Sequence, residues 1–335
     1  MRIAITGAAG FLGQKLVARL CESGRLPTAS TAETGADPAI AELALFDLCE
    51  PPEPEGAPFR VRTQAGDIAD PAALTALLAD GADVVYHLAA VVSSAAEADF
   101  DLGLRVNLDG TRALLEVCRR LPGPAPQFIF ASSVAVYGGD LPEAVRDDTA
   151  LAPQSSYGTQ KAVCELLVND YSRRGFIDGR VLRLPTIVVR PGRPNQAASS
   201  FASSIIREPL QGETAALPVP EDTALFVLSP RRVLDALCHA AAVPAEAFGA
   251  CRSVMLPGVS VTVAEMIRAL ARVGGEEAVA RIEQRPDPRI AAIVGGWPAR
   301  FDTRKAARLG FTGDADMDAI VQAFVEDDMV PQAGH

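Results

Sequence analysis

Arg2-Ile-Ala-Ile-Thr6 runs without a break into Gly7-Ala-Ala-Gly10-Phe11-Leu12-Gly13, and the fold is read outward from this stretch. An apolar strand run is followed by a glycine-rich turn and then by a helical pattern over Phe11–Ser23, with Gly24 where a helix stop is expected. Gly7 lets the chain turn sharply. Gly10 lets a helix start come close to a pyrophosphate, and Gly13 lets the helix pack tightly on the sheet. The free N–H groups and dipole of that helix start, opened by Phe11 and Leu12, favour an anion. A tight turn with no ligand is the bland alternative. The position of the motif, at the first strand–turn–helix of the chain, favours dinucleotide binding.

Further strand-like runs follow at Leu43–Asp47, Phe59–Arg62, Asp83–Leu88, Gln127–Ser132 and Gly179–Leu184. Helix-like runs at Pro71–Ala79, Glu97–Arg120 and Tyr157–Arg174 separate most of them. This alternation predicts an α/β fold, a Rossmann-type doubly wound parallel sheet. Arg25–Ala41 reads as a surface insertion before the second strand. Asp47, at the end of that strand, is placed to bond the adenosine ribose and to repel a 2′-phosphate, which favours NAD over NADP. It stands 34 residues past Gly13 because of the insertion, against a usual spacing of ~20. After Pro185 the pattern loosens into prolines and short helices such as Ser229–Ala242 and Thr262–Val273. Residues 1–185 therefore read as the dinucleotide-binding domain. Residues 186–335 read as a smaller, irregular substrate-binding cap rather than a second sheet domain, with some segments returning to the first.

A net charge of −11 argues against nucleic-acid binding, which needs a basic surface. It also means that an anionic substrate must be gripped locally by arginines. Six scattered cysteines without a CxxC pair read as reduced and structural. Three histidines make a metal site an unpromising reading. Residues 2–6 already form a strand run, so no leader segment is expected, and no apolar run reaches the ~20 residues that span a bilayer. A cytoplasmic location is the expectation.

Tyr157-Gly-Thr-Gln-Lys161 puts two side chains on one helix face. Free tyrosine ionises near pH ~10. A lysine cation beside it favours the phenolate, which can take a proton from an alcohol as hydride leaves, or return it in the reverse direction. The strand Phe128-Ile-Phe-Ala-Ser132-Ser133 ends in two hydroxyls. Only one of them can face the ligand crevice. Ser133 is the first choice to orient the substrate oxygen, with Ser132 second and on the cofactor side.

Taken in order, Gly7/Gly10/Gly13, Asp67-Ile68, His87-Leu88-Ala89-Ala90, Asn107, Ser132-Ser133 and Tyr157-xxx-Lys161 resemble the extended short-chain dehydrogenase/reductases. The resemblance implies that Asp67 contacts adenine, with Ile68 also at the cofactor, that Leu88–Ala90 line the cofactor, and that Asn107 supports the active site. It also implies that the segment reaching Pro185 closes over the nicotinamide. Dehydratases of this family carry Thr-Asp-Glu where this chain has Ser133-Val134-Ala135. Epimerases carry Asn where it has Thr186. Simple alcohol oxidation is thus the leading class. Stretches such as Ala89–Ser93, Pro153–Tyr157 and Leu184–Gly192 resemble the D-erythronate dehydrogenase group, which implies oxidation of the C2 hydroxyl of a small sugar acid with NAD. Ser93, Ser133, Tyr157, Thr186, Arg193, Asn195 and Arg231 are the expected substrate-binding set, with Arg193 and Arg231 as carboxylate anchors. A homodimer without metal is expected. Uronate oxidation and nucleotide-sugar epimerisation are the alternatives, and a non-catalytic dinucleotide-binding regulator is the more distant one.

Overall fold

The structure, a computed structural model, describes residues 1–29, 31, 35–192 and 198–329. Its strands are β1 (Arg2–Thr6), β2 (Glu42–Asp47), β3 (Arg60–Ala65), β4 (Val84–His87), β5 (Gln127–Ser133), β6 (Val145–Arg146) and β7 (Asp178–Leu184). The remainder are β8 (Thr186–Ile187), β9 (Ala215–Leu217), β10 (Ala224–Leu228), β11 (Ser253–Met255), β12 (Val259–Thr262), β13 (Ile282–Gln284) and β14 (Phe301–Asp302). Two compact units emerge. The first comprises Met1–Val136, Pro153–Arg183 and Leu234–Val254, and the second Tyr137–Ala152, Leu184–Val233 and Met255–His335.

The first unit carries a seven-stranded sheet in the order β11-β7-β5-β4-β1-β2-β3. The chain builds outward from β1 on one side, then returns to β4 on the other. The strand order reverses between β1 and β4, which is where such sheets open a ligand crevice. Thr6 sits opposite both Phe46 and His87. Gly7, Asp47 and Leu88 therefore emerge at one edge. β1, β2 and β4 are buried along nearly their whole length, as strands covered on both faces must be. β3 is the edge strand. Its Arg60 and Arg62 pair with Glu42 of β2, and charge is how an exposed edge is protected from further pairing. It extends to Ala65, past the expected Arg62, because an edge strand lacks the apolar run that would mark its end.

Helix α1 (Phe11–Ser23) has the expected bounds and ends at Gly24 in the left-handed conformation. The expected Glu97–Arg120 helix is instead broken at Asp99. Helix α3 (Ser93–Ala98) follows α2 (Pro71–Leu77) in the chain, then α4 (Phe100–Gly103), a π-helical turn Leu104–Asp109 and α5 (Gly110–Cys118). Asp99 is extended, and its carboxylate caps the new helix by accepting the Leu102 N–H. Helix α6 (Ser156–Arg173) completes the set that matters for the site.

The second unit is more ordered than an irregular cap. It is not sheetless: it has a three-stranded sheet β12-β10-β8 and the pairs β13-β9 and β14-β6. These strands of two to five residues are too short to leave a period-two pattern. β9, β10, β12 and β13 share a core with Phe201, Ile205, Met266, Leu270, Ile320 and Phe324. The chain also crosses the 185/186 boundary. Leu234–Val254 returns to the first unit, and Tyr137–Ala152 leaves it. No helix among the described residues is long and apolar enough to cross a membrane.

Candidate active site

The turn after β1 is shaped by close approach. Gly7 has φ +77°, which L side chains rarely adopt. A Cβ there would also stand 2.6 Å from the Ala89 nitrogen and 2.7 Å from the Leu88 carbonyl carbon. The turns after β1 and β4 thus meet backbone to backbone. Gly10 is the N-cap of α1 and supplies no side-chain cap, which leaves the helix start suited to an anion. Asp47 braces the loop: its Oδ2 accepts the Ala9 N–H at 2.9 Å and its Oδ1 the Leu48 N–H at 2.7 Å. Both oxygens retain lone pairs for a further donor. Asp67 accepts the Ala69 N–H at 2.9 Å and pairs with Arg105. The backbone bond, and then the guanidinium, hold its carboxyl below the usual range against partial burial. Ile68 is buried against Gly110, where a Cβ would come within 2.7 Å of Ile68 Cγ2.

A buried polar chain links this loop to the helices. Burial, with a smaller contribution from the Lys161 charge, pushes His87 down to about 3, so its ring is neutral. Thr111 has one hydroxyl hydrogen, donated to the Asn107 carbonyl at 2.6 Å. Its oxygen therefore accepts from His87 Nε2 at 2.8 Å, and His87 Nδ1 accepts from the Thr6 hydroxyl at 2.7 Å. Asn107 lies in the π-helical turn. Its Oδ1 accepts the Val91 N–H at 2.8 Å, and its Nδ2 donates to the Val91 carbonyl at 3.1 Å and to Gln160 Oε1 at 2.7 Å. Asn107 thus fastens the turn after β4 to α6.

Helix α6 begins where Ser155 accepts the Gly158 N–H at 3.1 Å. Gly158, which the sequence reading passed over, is what lets this end reach the turn after β5. A Cβ on it would lie 2.1 Å from the Ala135 carbonyl oxygen. Tyr157 and Lys161 stand one turn apart on this helix, with Lys161 Nζ 5.7 Å from the Tyr157 ring centre. Lys161 is 3% exposed, donates to the Ala131 carbonyl at 2.9 Å and sits 4.5 Å over the Phe130 ring. Burial pushes its ammonium down to about 8, and the neighbouring Cys164 and Glu165 act in the opposite sense. The two serines of β5 diverge as alternation requires. Ser132 is buried and donates to Glu165 Oε1 at 2.5 Å, while half-buried Ser133 accepts the Ala135 N–H at 3.2 Å. The Ser132 side chain is therefore turned into the protein, and only its backbone remains for a cofactor.

The sequence pattern of the NAD dependent epimerase/dehydratase family matches residues 3–231. The chain belongs to that family. It is 53% identical over 327 residues to the D-erythronate dehydrogenase of Cupriavidus necator, covering 98% of each chain. It is 45% identical to the D-erythronate dehydrogenase of Haemophilus influenzae, over 98% of this chain and 100% of that one. A solved structure described as the nucleoside-diphosphate-sugar epimerase from Agrobacterium tumefaciens superposes with a TM-score of 0.93 at 44% identity, covering 98% of this chain and 94% of the other. As a member of the NAD dependent epimerase/dehydratase family, the chain is an NAD-dependent oxidoreductase acting on CH–OH groups. The uncapped start of α1, the glycine approach and the Asp47 carboxylate are the features that a pyrophosphate with an unphosphorylated ribose requires.

The remaining expected residues are less uniform. Ser93 opens α3 and is half-buried. Pro185 is buried and Thr186 half-buried at the start of β8. Arg193 and Asn195 lie outside the described residues. Arg231, expected as a carboxylate anchor, has its guanidinium held by acids of its own unit. Nη2 reaches Asp327 Oδ1 at 2.6 Å and Glu326 Oε2 at 2.8 Å, and Nε reaches Asp327 Oδ2 at 2.9 Å. Asp327 first, then Glu326, raise it well above the ordinary arginine range. The reading also missed Glu165, buried beneath Lys161 and paired with Arg183. The available signal was its place four residues past Lys161, continuing the Tyr157–Lys161 stripe.

Proposed function

We propose that this chain oxidises the C2 hydroxyl of a small sugar acid with NAD, D-erythronate giving 2-dehydro-D-erythronate, with Tyr157 as general base. The observation that carries the substrate is the near full-length identity to two D-erythronate dehydrogenases, 53% and 45%. Bound NAD supplies the hydride acceptor. The protein's part is proton handling and orientation. The Tyr157 phenolate takes the hydroxyl proton as the carbon–hydrogen bond gives up its hydride. Lys161, one turn on, favours that phenolate by its charge. The Ser133 hydroxyl can donate to the substrate oxygen, since its bond from the Ala135 N–H uses it only as acceptor. In reduction the same tyrosine returns the proton.

NADH formation, followed at saturating NAD with D-erythronate, its stereoisomers, uronates and uncharged polyols, tests this reading. No NADH from any sugar acid would sink it. The similarity to a structure described as a nucleotide-sugar epimerase favours a second reading. That reading predicts interconversion of a nucleotide sugar with no net NADH. A homodimer and a cytoplasmic location belong to the same proposal. Sedimentation of the purified chain decides the first and cell fractionation the second.

Asp47→Ala is expected to weaken NAD and to raise the NADP/NAD ratio of kcat/KM. The carboxylate that bonds the ribose and repels a 2′-phosphate is removed, at a cost to NAD of about 1.5–3 kcal/mol for a charge-assisted bond. An unchanged ratio in steady-state kinetics would mean that Asp47 only braces the loop.

The arginine expectation now divides. Arg193→Ala is expected to raise KM for the acid roughly tenfold to a hundredfold, the loss of one charge-assisted pair, without changing NAD affinity. Arg231→Ala is expected to leave KM unchanged and to cost about 1 kcal/mol of stability at most, as a partly exposed ion pair does. A large KM effect at Arg231 together with none at Arg193 would reverse the assignment.

A further inference from the structure

Beneath the Tyr157–Lys161 face of α6 lies a charge cluster that the reaction above leaves unused. Glu165 is 1% exposed. Its carboxylate accepts from Ser132 of β5 at 2.5 Å, from Ser253 of β11 at 3.1 Å, and from Arg183 of β7 through Nε at 3.0 Å and Nη2 at 2.6 Å. One side chain thus ties α6 to three strands. Ser132 directly precedes the hydroxyl expected on the substrate oxygen. Buried ion pairs are seldom more stable than apolar residues of the same volume. Stability alone is therefore a weak reason for this cluster, and fixing geometry is a better one.

The electrostatics lead to the same residue. The groups bearing on Lys161 are Tyr157, Cys164 and Glu165 from its own helix and His87 from β4. Arg183 of β7 is engaged with Glu165. Burial raises the Cys164 thiol, which keeps it uncharged near neutral pH, and His87 is neutral. Cys164 and then Glu165, the carboxylate one helical turn on, act against the burial of the Lys161 ammonium.

We propose that Glu165 is a positioning residue of this site: its carboxylate holds the Ser132–Ser133 end of β5 in working register with α6 and places a negative charge one helical turn from the Lys161 ammonium. The kinetic consequence rests on the dehydrogenase reading, and the electrostatic one does not.

The chain has three lysines, Lys15, Lys161 and Lys305. Labelling lysine Cε with ¹³C therefore gives three resonances, and Lys161→Arg assigns the one of interest. The Lys161 midpoint is expected near 8 in the wild type. In Glu165→Gln, which removes the negative charge and keeps Arg183, it is expected to fall. Glu165→Gln/Arg183→Met removes one charge of each sign and leaves no unpaired cation buried, so it is the control in which the midpoint should stay near the wild-type value. Glu165→Asp keeps the charge but shortens the reach. Its Lys161 midpoint should stay near the wild-type value, while kcat falls about tenfold to a hundredfold through misplacement, with NAD affinity unchanged. An unchanged midpoint in Glu165→Gln, or wild-type kcat in Glu165→Asp, overturns the proposal. The titration needs no substrate. If the wild type forms no NADH with any sugar acid, the substrate reading fails while the midpoint still decides the role of Glu165.

Discussion

Tyr157→Phe is expected to lower kcat for sugar-acid oxidation by about a thousandfold, the middle of the range for a positioned acid–base group, while NAD affinity and the thermal midpoint stay at wild-type values. The substitution removes one oxygen from a half-buried side chain and leaves the ring in place beside Lys161. The helix start that carries it is held by Ser155 and by the Gly158 approach to Ala135, neither of which needs the hydroxyl. Steady-state kinetics alongside NAD binding by calorimetry separates the outcomes. A kcat within tenfold of wild type would place the base elsewhere. Lys161 adds a pH dependence with a definite sign. Its ordinary value of ~10.5 drops to about 8 through burial, so it is a cation that folding disfavours. The unfolded chain keeps this proton between about pH 8 and 10.5 when the folded one has released it. Stability on this account is lowest below pH 8 and recovers as the pH rises to 10.5. Activity runs the other way, because the cation that favours the phenolate is lost on the alkaline side of 8.

What the sequence made legible was whatever is local. β1, the glycine turn and α1 carry their signals in adjacent residues, and their bounds match. Tyr157 and Lys161 are four apart on one helix, and Ser132 and Ser133 alternate as any strand must. What stayed hidden depends on distant partners. Arg231 looks like a free cation until Glu326 and Asp327, 95 and 96 residues later, come back to it. Glu165 looks like an ordinary helix glutamate until Arg183 and Ser253 arrive, 18 and 88 residues on. The break at Asp99 was readable in principle as a cap, but the apolar periodicity on either side of it masked the interruption. The small strands of the second unit pair across long gaps, as Ala215 does with Ile282, and no window along the chain contains both halves.

Gly13→Ala is expected to destabilise the protein and to abolish NAD binding, against what helix propensity alone would say. Gly13 lies inside α1, where alanine is favoured over glycine by about 1 kcal/mol. The added Cβ, however, would lie 2.1 Å from the Gly7 carbonyl oxygen and 2.7 Å from Ala8 Cα. Those atoms are backbone of the glycine turn, and they cannot step aside as a flexible side chain could. Either α1 lifts off or the turn deforms, and overpacking of this kind costs about 1–3 kcal/mol. The strain also falls on the loop whose N–H groups must meet the pyrophosphate, so binding suffers beyond the loss of stability. Gly10→Ala is the informative contrast. Its Cβ would meet only the Gly7 oxygen, at 3.2 Å, so the empty fold is expected to tolerate it while NAD affinity drops because the methyl stands where the ligand must approach. Thermal melts with and without NAD read both variants. Gly13→Ala should melt lower in both conditions with no NAD-induced shift, and Gly10→Ala should melt near wild type without NAD but gain little from it. A Gly13→Ala protein that melts higher than wild type and still responds to NAD would mean that propensity outweighs the contact, and that α1 packs less tightly on this turn than its glycine implies.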